Sequence, residues 1–227
     1  PISTKISFMN EIANICEKVG ADAEKVRIGI STDTRIGNKF LFPGIGYGGS
    51  CFPKDVSALI NIADKNDVDS SILKSVHQTN IKQREIFFNK ILNYYKGDIN
   101  NKTFAVWGLA FKPKTNDMRE APAITIINKL LEHGAKVNAY DPKAMDFAEG
   151  IWGNKISYAK TAYEALSNSD AMILMTEWNE FRYLDIDKMK NLMNKYVIFD
   201  ARNQYNRNRL VEQGFDYLNI GYTDRRI

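Results

Sequence analysis

Cys51 lies in a run in which nearly every residue type has a conformational or chemical use: Phe42-Pro-Gly-Ile-Gly-Tyr-Gly-Gly-Ser-Cys-Phe-Pro-Lys-Asp55. Glycine tolerates positive φ and lets a ligand approach the backbone, so Gly44, Gly46, Gly48 and Gly49 read as a shaped loop. Pro53 suits the first turn of a helix, and Val56, Leu59, Ile60 and Ala63 follow at helical spacing. Cys51 is therefore expected just before a helix N-terminus, beside unpaired N–H groups and near Lys54. Both favour a thiolate. Asp55, one turn on, is spaced to orient a water or a proton near the sulfur. A cysteine in a glycine loop also serves as a small buried residue. The combination of glycines, proline, lysine and aspartate favours a nucleophile.

The elements that must position this loop follow from periodicity. Ile6, Met9, Ile12, Ala13, Cys16 and Val19 recur at three- and four-residue steps, predicting a helix that ends near Gly20. Cys16 lies on its apolar stripe, which makes it a packing residue. Asp22 caps a second helix through Val26 and Ile30. After a short helix over about residues 54–65, Asp69-Ser-Ser precedes a long helical stretch to roughly Lys96. Such a helix of about 25 residues would run near 37 Å, enough to bridge domains or support a dimer interface. Gly97-Asp-Ile-Asn-Asn101 reads as a boundary, dividing a helical domain (1–97) from a second one (98–227).

Beyond that boundary the period changes. Thr103–Trp107, Val137–Tyr140, Ile156–Ala159, Ala171–Met175, Tyr196–Asp200 and Phe215–Ile220 read as buried strands. Helices are expected over Ile124–Leu131, Tyr163–Ser167, Ile186–Met193 and Arg207–Gln213. The alternation predicts an α/β fold with an open, mostly parallel, doubly wound Rossmann-like sheet. The glycine fingerprint of a dinucleotide site does not follow the first strand, where Gly108-Leu-Ala-Phe-Lys-Pro-Lys stands instead. Such a sheet is better suited to a nucleotide sugar or a scaffold role.

Composition excludes several classes. The chain has 227 residues, is 44% hydrophobic and 26% charged, and carries a formal charge of +4. That charge suits anionic ligands but lacks the basic stripe of a nucleic-acid binder. No apolar run reaches a membrane span, and no signal-peptide pattern opens the chain. Two cysteines and two histidines, His77 and His133, show no metal-ligand spacing, so no metal is expected and a reduced, cytoplasmic compartment is. Both histidines are expected on a helix surface or in a satisfied hydrogen bond. The chain begins at Pro1 rather than Met, inside an expected helix, and is read as a fragment.

Two stretches carry a resemblance to a known family. Gly-Tyr-Gly-Gly-Ser-Cys-Phe-Pro-Lys-Asp55 resembles the nucleophile segment of nucleotide-sugar dehydrogenases, those acting on UDP-glucose in particular. Gly-Leu-Ala-Phe-Lys-Pro-Lys-Thr-Asn-Asp-Met-Arg-Glu-Ala-Pro122, with Tyr-Asp-Pro142, resembles the start of that family's UDP-binding domain. The resemblance implies Cys51 as nucleophile with Asp55 positioning water. It implies that Phe40, Leu41, Phe42, Pro43, Gly44, Tyr47 and Gly48 line the sugar nucleotide. It also implies that Phe111 and Lys112 contact that nucleotide, while Lys54 and Arg119 lie toward the cofactor, NAD. Arg35 of Arg-Ile-Gly would reach a sugar site, within or across a subunit boundary, and Arg202 would lie near the substrate of a neighbouring subunit. Without the resemblance, Arg35, Lys112, Lys114 and Arg119 read as solvated loop charges. The family's N-terminal dinucleotide domain has no counterpart in this sequence, nor do its catalytic glutamate, lysine and asparagine. The implied reaction is NAD-dependent oxidation of UDP-glucose to UDP-glucuronate by a homodimer or higher homo-oligomer, with this chain alone inactive. GDP-mannose and UDP-N-acetyl sugars remain alternative substrates, and a non-catalytic nucleotide-sugar-binding or dimerisation module is the reading from a different class.

Overall fold

The computed structural model describes residues 2–223, so Pro1 and 224–227 lie outside the described residues. Four helices come first: α1 (Ile2–Val19), α2 (Ala23–Ser31), α3 (Phe52–Lys65) and α4 (Ser71–Tyr94). Asp22 caps α2 by accepting from the amides of Glu24 and Lys25 at 2.9 and 3.2 Å. The first half of α4 packs on α1 and α3, and its second half, through Phe87, Phe88 and Ile91, enters the core beneath the sheet. The helical and sheet-bearing parts thus share one apolar cluster.

The strands are β1 (Thr103–Trp107), β2 (Lys136–Tyr140), β3 (Ser157–Tyr158), β4 (Ala171–Leu174), β5 (Val197–Asp200) and β6 (Asp216–Asn219). They form one parallel sheet in the order β3-β2-β1-β4-β5-β6, which is the doubly wound arrangement expected of a Rossmann-like domain. The helices between strands are α5 (Pro122–Glu132), α6 (Met145–Trp152), α7 (Ala162–Ala165), α8 (Ile186–Leu192) and α9 (Arg207–Glu212). Strand residues alternate between faces. Phe104 and Val106 enter the cluster shared with α4 and α5, while Ala105 and Trp107 face the cluster under α7 and α8. Burial on both faces explains why these strands are continuously apolar.

Sequence periodicity does not reveal α6. It is short, contains Gly150, and its N-cap residue Ala144 offers no capping side chain. Asp141 instead shapes the turn that leads into it, accepting from the amides of Lys143 and Ala144 at 2.8 and 2.9 Å. The expected face of α3 is only partly covered: Val56 is buried, Ile60 and Ala63 are half-buried, and Leu59 is exposed. His133 behaves as expected, with Nδ1 2.8 Å from the Lys129 carbonyl and its ring on Phe88. His77 does not. It is half-buried, and its Nδ1 has no hydrogen-bond partner among the described residues.

Candidate active site

The glycine loop is threaded between the helical layer and the C-terminal ends of the strands. From the helical side, Asn10 of α1 accepts from the Gly44 amide at 2.8 Å. Asn80 of α4 accepts from the Tyr47 amide at 2.8 Å and donates to its carbonyl at 3.1 Å. Both asparagines are buried, and the two bonds to Tyr47 fix the backbone of that residue against α4. From the strand side, Ile45 donates to the Ala201 carbonyl at 3.1 Å and Gly49 to the Arg119 carbonyl at 2.8 Å.

Glycine is required where the two sides meet. A Cβ on Gly48 would fall 2.3 Å from the Glu120 carbonyl oxygen, and one on Gly49 would fall 2.8 Å from the Phe111 ring. Gly49 also holds φ at +85°, which side-chain-bearing residues rarely adopt. Two residues later the chain enters α3. Cys51 is its N-cap residue, exposed, with the sulfur 3.8 Å from Ser50 Oγ. Its carbonyl accepts from the Asp55 amide at 2.8 Å, so Asp55 lies in the first helical turn. Lys54 and Asp55 are both exposed.

The other predicted residues fall into two groups. Leu41, Pro43, Gly44, Tyr47 and Gly48 are buried in the loop, and the Tyr47 ring meets Phe52 edge-on at 5.9 Å. Phe111 is half-buried against Gly49, with the exposed Lys112 ammonium 5.2 Å from its ring centroid. Arg119 is exposed and folds onto Asp117, with Nε–Oδ1 and Nη2–Oδ2 contacts of 3.0 and 2.8 Å. These bonds hold the Asp117 carboxyl below its ordinary range. Arg202 turns inward: Nε donates to the Met175 carbonyl at 2.6 Å, Nη2 to the Phe111 carbonyl at 3.3 Å, and Glu177 lies 3.2 Å away. Arg35, by contrast, is not brought to the loop. It pairs with Asp33 within its own turn at 2.6 Å and is fully exposed. Phe40, at φ 63°, and Phe42, under the Arg27 guanidinium, also face outward.

Sequence reasoning missed Asn10, Asn80, Arg84 and Asp141. The first three sit among apolar residues of α1 and α4, and polar residues at such positions were the available signal. Asp141 answers a different question. Its Oδ2 accepts from the amides of Leu109 and Ala110 at 2.7 and 3.1 Å and from Trp178 Nε1 at 3.1 Å. Those amides follow β1, where a dinucleotide-binding turn would offer N–H groups to phosphate. Here the protein's own carboxylate already holds them, and a Cβ on Gly108 would meet Thr176 at 2.4 Å. The residues after β1 therefore do not fit a dinucleotide pyrophosphate. A separate cavity of about 1030 Å³ opens between the α1–α2 turn and the β6 region, lined by Asp22, Arg207 and Tyr222 among others. Size alone would favour it. The chemistry favours the Cys51 loop, which contributes only Pro43 to that cavity.

Residues 2–82 match the central domain of the UDP-glucose/GDP-mannose dehydrogenase family, and residues 105–207 match its UDP-binding domain. The chain belongs to that family. It is 43% identical over 225 residues to UDP-glucose 6-dehydrogenase of Pseudomonas aeruginosa, a match covering 97% of this chain and 50% of that protein. It is 45% identical over 220 residues to UDP-glucose 6-dehydrogenase TuaD of Bacillus subtilis, covering 97% and 48%. Among solved structures, the UDP-glucose dehydrogenase of Pyrobaculum islandicum superposes with a TM-score of 0.85 at 29% identity, covering 98% of this chain and 49% of that one. The chain thus spans about half the length of these relatives. Among the described residues no helix is long and apolar enough to cross a membrane.

Proposed function

We propose that this chain carries the covalent half of a UDP-glucose 6-dehydrogenase, with Cys51 as nucleophile. The observation that carries the reading is the exposed thiol at the N-cap of α3, on a loop held against Phe111 and the loop before α5. Family membership supplies the substrate class. An aldehyde at C6 has no hydride to give until something adds to its carbonyl. Cys51 sulfur bonds to C6 while the carbonyl oxygen takes a proton, giving a thiohemiacetal. Loss of the C6 hydride and the hydroxyl proton leaves a thioester. Water then attacks the thioester carbon, the thiolate leaves, and the carboxylate is released, with Asp55 orienting that water. NAD is the hydride acceptor this reading calls for. The turn after β1 does not fit it, and we assign it to a dinucleotide domain of the whole protein rather than to this sheet.

Phe111, Lys112 and the loop from Phe40 to Gly48 form the surface to which we assign the nucleotide sugar, with Lys54 and Arg119 on the cofactor side. Arg35, exposed on its own protomer, is the side chain we assign to a neighbouring subunit's site, and Arg202 is assigned to support of its own loop and the same boundary. We also assign the exposed apolar faces of the helical half, Phe8, Ile15 and Val19 on α1 among them, to pairing with a second copy. The free thiol suits a reduced, cytoplasmic setting.

The test is turnover by the whole protein. UDP-glucose should be oxidised with NADH formed, and GDP-mannose or UDP-N-acetylmannosamine should be poor substrates. Cys51→Ala should abolish UDP-glucuronate formation, and Cys51→Ser should impair the second oxidation most, because serine lacks the thiol's acidity. Asp55→Asn should slow hydrolysis, so that intact-mass measurement finds a sugar nucleotide esterified to Cys51. Near wild-type product formation by Cys51→Ala would overturn the reading.

A further inference from the structure

Arg84 takes no part in the chemistry above, yet it touches both segments that frame Cys51. It lies one turn after Asn80 on α4, and its Nη2 donates to the Tyr47 carbonyl at 3.3 Å and to the Glu120 carbonyl at 3.1 Å. Its Nη1 donates to Thr125 Oγ1 of α5 at 3.3 Å. One guanidinium therefore bridges the glycine loop, the loop before α5 and α5 itself. Among the described residues no carboxylate lies within ion-pair distance of it, and its Nε has no hydrogen-bond partner.

We propose that Arg84 is a positioning residue for Cys51, locking the glycine loop to the loop before α5 so that the thiol is held at the start of α3. The inference rests on the reading of Cys51 as the nucleophile. Its physical basis is the crowding between the two segments. Gly48 and Gly49 have no room to shift toward Glu120 or Phe111, and Asn80 blocks the other side, lying 2.6 Å from where a Gly46 Cβ would stand. What crowding leaves free is sliding along the loop, and donors to the Tyr47 and Glu120 carbonyls oppose it. The planar fork matters, because its donors diverge in fixed directions to acceptors on three segments. Lysine presents a single point of charge and cannot span them equally well. Burial lowers the pKa of Arg84, while the Glu120 charge works in the opposite direction. The guanidinium's bonds to the Tyr47 and Glu120 carbonyls satisfy donors that burial would otherwise leave unpaired.

Hydrogen exchange read by mass spectrometry on Arg84→Gln and Arg84→Lys tests this, beside turnover in the whole protein. The Gly49 amide, bonded to the Arg119 carbonyl, should exchange roughly tenfold faster in Arg84→Gln, while the amides of β1 keep their protection. Arg84→Lys should show the same change, reduced, and serves as the reading if the glutamine variant does not fold. In turnover, kcat on UDP-glucose should fall about tenfold in Arg84→Gln, with the KM for NAD unchanged. Unchanged exchange at Gly49 would overturn the proposal, and so would equal acceleration in β1, which would mean a structural role only. If Cys51→Ala still forms product, the reading of Cys51 fails whatever the exchange shows. If Cys51→Ala is inactive while Arg84→Gln keeps full kcat, the positioning role alone fails.

Discussion

At the scale of single residues, the site depends on glycines that leave room for their neighbours. Gly49 holds a positive φ and faces the Phe111 ring at a distance no Cβ could share. Gly49→Ala should therefore cost roughly 1–3 kcal/mol through backbone strain, with the displacement of Phe111 in addition. Chemical denaturation checks the energy, and the proposed UDP contact through Phe111 should weaken in parallel by calorimetry. An unchanged denaturation midpoint would show that the loop relaxes freely and that Phe111 is not fixed by this contact. The acid–base setting of the site is local as well. The Arg119 guanidinium holds the Asp117 carboxyl below its ordinary range, and their pairing orders the loop whose carbonyls receive Gly49 and Arg84.

At the scale of elements, Asp141 organises the strand ends. Five donors converge on its carboxylate: the amides of Leu109, Ala110, Lys143 and Ala144, and the Trp178 indole. It closes the turn after β1, shapes the turn that leads into α6 and ties the segment after β4, with Thr176 adding a bond to the Ala110 carbonyl at 2.6 Å. Asp141→Ala would leave several buried donors without acceptors. The expected loss is about 3 kcal/mol or more, measured as a lower denaturation midpoint. A change within about 0.5 kcal/mol, the range of ordinary surface substitutions, would mean that water replaces the carboxylate and that the turn has no need of it. The same element-scale logic explains Lys90. It is buried in α4 between Glu17 of α1 at 2.8 Å and the Asn219 carbonyl at the end of β6 at 2.7 Å, and so joins the helical layer to the sheet.

At the scale of the whole molecule, the helical half leaves large apolar side chains in water. Phe8, Ile15 and Val19 project from one face of α1, and Ile72, Ile81 and Ile86 project from α4. Exposed apolar faces of this extent suit an interface between copies. The chain is expected to dimerise in solution, with Phe8→Glu and Ile15→Glu each weakening the dimer. Sedimentation or light scattering is the check, and a monomer at tens of micromolar would refute pairing through this half.

Local information was enough for much of this protein. Cys51 before a helix, the glycine loop, the Asp22 cap and the succession of strands all follow from period, proline, glycine and capping residues, which act over a few positions along the chain. Tertiary structure alone decided which partners meet. Asn10 and Asn80 reach across more than thirty residues to backbone groups of the loop, and nothing in their own neighbourhoods specifies which peptide they will hold. Helix α6 is short, has no side-chain cap and follows a turn held by Asp141, so its local pattern stayed mute. The order of strands, and with it the meeting of Gly49, Phe111 and Arg119 at their ends, depends on which strands pair across the sheet, which no single segment specifies. Buried polar groups must find acceptors and donors wherever the fold brings them, and that is a property of the packed chain and not of any segment within it.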